Sequence, residues 1–261
     1  MPFDRLTAVR EIDAIYTDGA HYDRMFGRGY VEFWLNQARI SGGPILELGC
    51  GTGKLSIPLA EAGFSVTGLD NSPALLEFAA SKNENVRWMQ GDMRSFELDE
   101  RFALIMLPSN NLGHLHTLED FEGCIGSVKR HLRPGGVFVI DVFVPNLSLL
   151  LRCAEGEYVL DEYDSPEGQG RVCVTARSRY ESTTQIVRTK TTRKVAGQPD
   201  RAGSLDLKMY YPKELEALVR CNGLHIAARY GGHAGEAFDE ASRFQILVCE
   251  DSGKHVSSHG G

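Results

Sequence analysis

The chain has 261 residues, a net charge of −7 and 42% apolar residues, which fits one or two globular domains and excludes a disordered chain. Its mean hydropathy is −0.23, apolar runs such as residues 136–144 stop short of a membrane span, and the acid excess offers no global field for nucleic acid or anionic lipid. The opening residues interleave charged with apolar side chains, so no signal peptide is expected, and six widely spaced cysteines read as reduced thiols of a cytosolic protein.

Residues 1–43 contain no clear strand, and 31–40 place apolar side chains at 31, 34, 35 and 38, a helical spacing. After Ser41-Gly42-Gly43-Pro44, strands and helices alternate. Residues 45–48 form a short apolar strand into a glycine loop, followed by a helix over 54–62. A second strand over 64–69 ends in Asp70, and Ser72 with Pro73 opens the next helix as cap and first position. Third and fourth strands are expected at 86–90 and 102–107. A helix over 118–131 then leads through Arg133-Pro134-Gly135-Gly136 into a fifth strand at 137–144. This alternation predicts an α/β fold with a mostly parallel sheet and helices on both faces. From 151 the texture changes to strand-like pieces at 158–163, 172–180, 185–195 and 205–211, separated by turn residues. Residues 151–211 are therefore expected as an antiparallel β insertion. A helix opened by Pro212 and closing strands at 224–230 and 244–250 return the chain to a core begun at residue 44 and carried to 150. The polar stretch 251–261 is expected to be disordered.

The most informative segment is Glu47-Leu48-Gly49-Cys50-Gly51-Thr52-Gly53. A strand, a glycine loop and a helix let a ligand approach the backbone closely. Lys54 stands where a dinucleotide fingerprint wants a small residue, and no phosphate-loop Gly-Lys-Ser/Thr follows. Asp70 lies 19 residues past Gly51, where an acid can accept both hydroxyls of a ribose. Asp92, with Met93 beside it, ends the third strand and can meet an adenine edge and face.

Taken in order, ILELGCGTGKLSIPLA, VTGLDNSPALLEFA, VRWMQGDM and LRPGGVFVIDVF resemble a class I S-adenosylmethionine-dependent methyltransferase, over about residues 30–144. The resemblance implies a Rossmann-like, seven-stranded sheet whose last strand runs antiparallel. It implies a first cofactor motif of Glu47, Gly49, Gly51 and Gly53, ribose held by Asp70, and adenine flanked by Asp92 and Met93. Cys50, Asn71 and Pro108 join this S-adenosylmethionine set. It also implies that residues 1–43 form an N-terminal helical lid from which Tyr16 or Tyr22 reaches the site.

The loop after the fourth strand carries two amides and two imidazoles, where open α/β sheets bind ligands. His114 is the first candidate to orient or deprotonate an acceptor, with Asn111 as a polar clamp, while His116 reads as a neighbour of the next helix cap. Arg243, by resemblance, opens toward the acceptor cavity. Asp141 lacks the companion acids of a metal-dependent O-methyltransferase, so no metal is expected and a buried or capping carboxylate is the better reading. Residues 171–201 hold eight bases against Glu181 and Asp200, but few aromatics interleave them, so a solvated face is favoured over a nucleic-acid groove. The expected reaction is methyl transfer to a small-molecule amine, with no nucleic-acid or membrane partner. The alternatives are an O-methyltransferase, a peptide N-methyltransferase, or a cofactor-binding module without turnover.

Overall fold

In the computed structural model, which describes residues 14–25, 27, 30–153 and 156–254, a 3₁₀ turn at Ala14–Tyr16 leads into α1 (Gly19–Arg24) and α2 (Val31–Ser41). The expected lid thus lies partly outside the described residues, as does most of the tail expected to be disordered. Residues 251–254 instead finish a strand and add a 3₁₀ turn. The alternation that follows is β1 (Ile45–Leu48), α3 (Ser56–Glu61), β2 (Val66–Asp70), α4 (Pro73–Lys82), β3 (Arg87–Gln90), β4 (Phe102–Leu107), α5 (Leu118–His131), β5 (Leu132–Phe143) and α6 (Leu147–Arg152). Next come β6 (Glu157–Asp164), β7 (Arg171–Glu181), β8 (Ile186–Val195) and β9 (Arg201–Lys208), then α7 (Pro212–Cys221), β10 (Leu224–Tyr230) and β11 (Phe244–Asp251).

One sheet has seven strands in the order β10-β11-β5-β4-β1-β2-β3, and β11 runs antiparallel to both neighbours. Its central strands are buried on both faces. Leu46, Leu48, Ile105, Leu107, Phe138 and Ile140 face one apolar cluster, covered by Phe121, Ile125 and Val128 of α5 and Leu215 and Val219 of α7. Ile45, Leu104, Met106 and Val139 face the other, covered by Phe33, Trp34 and Ala38 of α2. Each large apolar side chain taken from water contributes roughly 1.5–3 kcal/mol, so this double burial fixes the strand ends where ligands gather.

The second sheet, β6-β7-β8-β9, is antiparallel throughout. Its last strand covers 201–208 rather than the expected 205–211. Lys208 pairs with Ile186, the first residue of β8, and after Met209 N donates to Gln185 O at 2.7 Å the chain leaves the sheet. Tyr210 turns into the core instead, where its hydroxyl donates to Leu115 O at 2.5 Å and its carbonyl accepts from Gln245 Nε2 at 2.6 Å. A third apolar cluster of Met25, Tyr163, Val172, Val174 and Val195 joins the end of α1 to this sheet. Much of the basic run is paired: Arg188 with Glu181 and Asp206, Arg193 with Asp18, Lys194 with Glu157.

Candidate functional site

The glycine loop leaves β1 with Gly49, Gly51 and Gly53 at φ of 71°, 52° and 80°, a region L side chains adopt only under strain. Gly49 needs the absence of a side chain twice over, since a Cβ there would lie 2.5 Å from Asn111 Nδ2. The loop folds back onto β2: Gly49 N and Cys50 N both donate to Leu69 O, at 2.8 and 3.1 Å. Asp70 closes the arrangement, its two oxygens accepting from Gly51 N at 2.8 Å and Ser72 N at 2.9 Å. Burial raises its carboxyl above the usual range although these backbone donors oppose the shift. Glu47 is buried and accepts from Ser56 Oγ, and desolvation pushes its carboxyl up to about 8.

Two adjoining cavities, of about 140 and 270 Å³, flank this loop. The first is lined by Asp70, Asn71, Gly91, Asp92 and Met93, with Leu69 and Leu75 as its apolar wall. The second is lined by Glu47, Cys50, Lys54, Ser109, Asn110 and Phe143, and by Leu205 and Leu207 of β9. Tyr16, Tyr22, Gly49, Asn111 and His114 border both. Four of the five acceptor-site candidates are therefore brought together at one constriction. Asn111 Nδ2 donates to Leu48 O at 3.2 Å and Gly49 O at 2.9 Å, and the Tyr16 hydroxyl shares a 3.0 Å hydrogen bond with His114 Nε2. Tyr22 lies over the loop, 3.2 Å from where a Cβ of Gly51 would be. Burial, with Asp70 and Glu47 nearby, pushes its hydroxyl far above its ordinary range and keeps it protonated.

The segment expected as a lid is held on one side by the glycine loop it covers. Asp18 caps α1, accepting from His21 N at 3.2 Å; Thr52 Oγ1 donates to Asp23 Oδ1 at 2.7 Å and Ser72 Oγ to Tyr16 O at 2.6 Å. Lys54 Nζ donates to Met25 O at 2.5 Å, and desolvation brings its ammonium down to about 8. Sheet contacts hold that segment on the other side: Arg193 meets Asp18 at 3.1 Å, and His21 Nδ1 shares a 3.0 Å hydrogen bond with the Tyr163 hydroxyl.

Other candidates fall differently. Arg243 is exposed beside a separate open groove with Tyr30, His233 and Phe244, not beside either cavity. The sheet order explains it, because β11 lies beyond β5 and β4 from the glycine loop of β1. Pro108 is buried at the start of the turn after β4, where its carbonyl accepts from Asn111 N at 3.0 Å. Asp92 is already engaged: burial works to raise its carboxyl, but hydrogen bonds from Arg94 outweigh that and hold it below the usual range. Asp141 is buried; its Oδ2 accepts from Ser109 N at 3.3 Å and lies 3.0 Å from His233 Nε2. His116 lines the first cavity and pairs through Nε2 with Asp206 O at 2.8 Å. Sequence reasoning missed Lys54, Arg94 and the β9 wall of Leu205, Asp206 and Leu207. Only the Lys54 exception in the glycine motif carried a visible signal.

Residues 45–136 match a family described as a methyltransferase domain. A putative methyltransferase, YqeM of Bacillus subtilis, is 38% identical over 113 residues, 42% of this chain and 46% of its own length, so the chain spans less than half of that relative. The cypemycin N-terminal methyltransferase of a Streptomyces species is 26% identical over 86% of this chain and 89% of its own. Among solved structures, the CcbJ methyltransferase of Streptomyces caelestis superposes with a TM-score of 0.77 at 24% identity, covering 91% of this chain and 98% of that one. The sheet order, the glycine loop ending at Asp70 and these matches agree: the chain carries a class I S-adenosylmethionine-dependent methyltransferase domain.

Proposed function

We propose that the protein transfers a methyl group from S-adenosylmethionine to an amine nitrogen of a small-molecule acceptor. The observation that carries this reading is the pair of cavities meeting at Tyr16, Tyr22, Asn111 and His114. The residues present fit the cofactor. Asp70 is a buried acceptor in the wall of the first cavity, with Leu69, Leu75 and Met93 as apolar surfaces for a base, and Glu47 is a buried carboxyl group in the second. Asp70 would take the ribose hydroxyls, Asp92 and Met93 would meet adenine, and Glu47 with the Gly49–Gly53 backbone would face the amino-acid end. The cofactor, when bound, supplies a methyl carbon on a positively charged sulfur.

This chain's residues supply alignment and a dry surrounding, which together can be worth roughly 7–11 kcal/mol of barrier. Leu205, Leu207 and Phe143 exclude water from the second cavity. Desolvation disfavours an ammonium, so the acceptor enters as a neutral amine with its lone pair free. The amine lone pair would take the methyl group that the cofactor supplies, with S-adenosylhomocysteine as the leaving group, and the methylated nitrogen would then shed a proton. His114 takes that proton, and Tyr16 is placed to relay it. Tyr22 stays a hydrogen-bond donor, and Asn111 keeps the loop carbonyls fixed. A peptide α-amine is the second reading, supported by the match of the cypemycin N-terminal methyltransferase over most of the chain. Nucleic acid is not the substrate in this reading, because the bases of sheet β6–β9 are largely ion-paired on its surface.

The test is incubation with methyl-labelled cofactor and a panel of amines, hydroxy acids and a short peptide, read by mass. Label on amines supports the proposal; label on hydroxy acids alone overturns the choice of nitrogen.

A further inference from the structure

Behind the constriction, four buried side-chain atoms have no hydrogen-bond partner among the described residues: Nδ2 and Oδ1 of Asn110, Oδ1 of Asp141 and Nδ1 of His233. The three residues form one connected group. Asn110 N donates to Asp141 O at 3.0 Å, and His233 Nε2 lies 3.0 Å from Asp141 Oδ2, the oxygen that also accepts from Ser109 N. The His233 ring is fixed by stacking on Tyr30, with centroids 3.6 Å apart and planes 6° from parallel.

Asp141 thereby holds an unusual turn. Ser109 and Asn110 are consecutive non-glycine residues at φ of 56° and 62°, a region that asparagine tolerates and that serine adopts at a cost. The turn places Asn110 in the lining of the second cavity, opposite Leu207 of β9. A Cβ on Gly113 would lie 3.1 Å from both Asn110 Nδ2 and Leu207 Cδ2, so the amide sits at the seam between core and β9. An amide held in a strained turn with its hydrogen bonds unmade is poised for a ligand.

Resting on the amine reading above, we infer that Asn110 determines acceptor specificity by binding a hydroxyl beside the amine. An asparagine amide offers a donor and an acceptor side by side, and one hydroxyl serves both, accepting from Nδ2 and donating to Oδ1. A carboxylate accepts only, and would leave Asn110 Oδ1 without a donor. An alkyl group leaves both amide atoms unmade. The ligand class is therefore a small amino alcohol, with Asp141 and His233 as positioning residues for Asn110.

The experiment titrates S-adenosylhomocysteine-loaded protein with trans-2-aminocyclohexanol, cyclohexylamine and 2-aminocyclohexanecarboxamide by calorimetry. The variant is Asn110→Gly, which keeps the backbone conformation and removes the amide; its thermal midpoint checks folding. Wild type should bind the amino alcohol about tenfold or more tightly than cyclohexylamine, a ratio that collapses toward one in Asn110→Gly. Equal binding of the two by wild type, no binding of either, a preference surviving in Asn110→Gly, or tighter binding of the carboxamide overturns the inference. Methyl transfer to the same compounds separates the two readings. A hydroxyl preference in binding with no amine methylated overturns the amine proposal alone. Amines methylated without an Asn110-dependent preference overturn only the specificity role.

Discussion

Around Asp70 the polar contacts come from backbone: Gly51 N and Ser72 N on its carboxylate, Leu69 O receiving Gly49 and Cys50. Across the site, sheet β6–β9 presents side chains instead, with Leu205 and Leu207 as wall and Arg193 reaching to Asp18. A surface built from backbone is fixed by the path of the chain and tolerates changes of side chain. A wall built from side chains can be altered one residue at a time without disturbing the opposite half. In the proposed reading, the half that would hold the cofactor is thus set by the parallel sheet, and the half that would hold the acceptor is open to change in its cover.

The comparison breaks most directly at the constriction. His114→Ala should lower turnover on the order of a hundredfold while leaving S-adenosylhomocysteine affinity near wild type, as measured by steady-state kinetics and calorimetry. Unchanged turnover on a validated acceptor would make His114 structural. Asp70→Ala should weaken S-adenosylhomocysteine by about ten- to a hundredfold, because a charged hydrogen bond is worth roughly 1.5–3 kcal/mol. Tight NAD binding with no response to S-adenosylhomocysteine would remove the cofactor assignment altogether.

Glu47 sharpens the contrast through pH. Its folded carboxyl is raised from an ordinary 4.5 to about 8, so the ligand-free protein loses stability as pH climbs across that interval. Glu47→Gln keeps an acceptor for Ser56 and should flatten the thermal midpoint over the same window. A midpoint as steep as wild type would show that Glu47 ionises freely in the fold. A smaller effect is expected where lid meets loop. Lys54→Met removes the donor to Met25 O and should speed S-adenosylhomocysteine release several-fold in stopped-flow. Smallest of all, neutralising Arg177, Arg179 and Arg188 should leave RNA and DNA binding weak and unchanged, with Kd above roughly 10⁻⁴ M at physiological salt. A steep salt-dependent affinity lost in that variant would turn the cover into a recognition surface.

The core was legible because its signals are local. Apolar runs gave β1, β2, β4 and β5, and the glycine motif needs no distant partner to be recognised. The α1 helix escaped notice because six residues are too few to be stable alone, and it depends on Asp18 as cap and on contacts from residues as distant as Arg193. The same holds for Leu205 and Leu207, whose alternation reveals a strand but not which cavity that strand closes. Arg243 stands away from both cavities for a related reason, since the distance of β11 from β1 is a matter of sheet order rather than spacing along the chain. The position of Asn111 did follow from its loop, because β4 lies directly beside β1.

Held by Thr52 and Lys54 on one side and by Arg193 and Tyr163 on the other, the short helix over Gly51 ties the glycine loop to the β6–β9 sheet. In the proposed reading a ligand of either cavity would enter only as those ties open, so a change that loosens them should act on entry and release of cofactor and acceptor together.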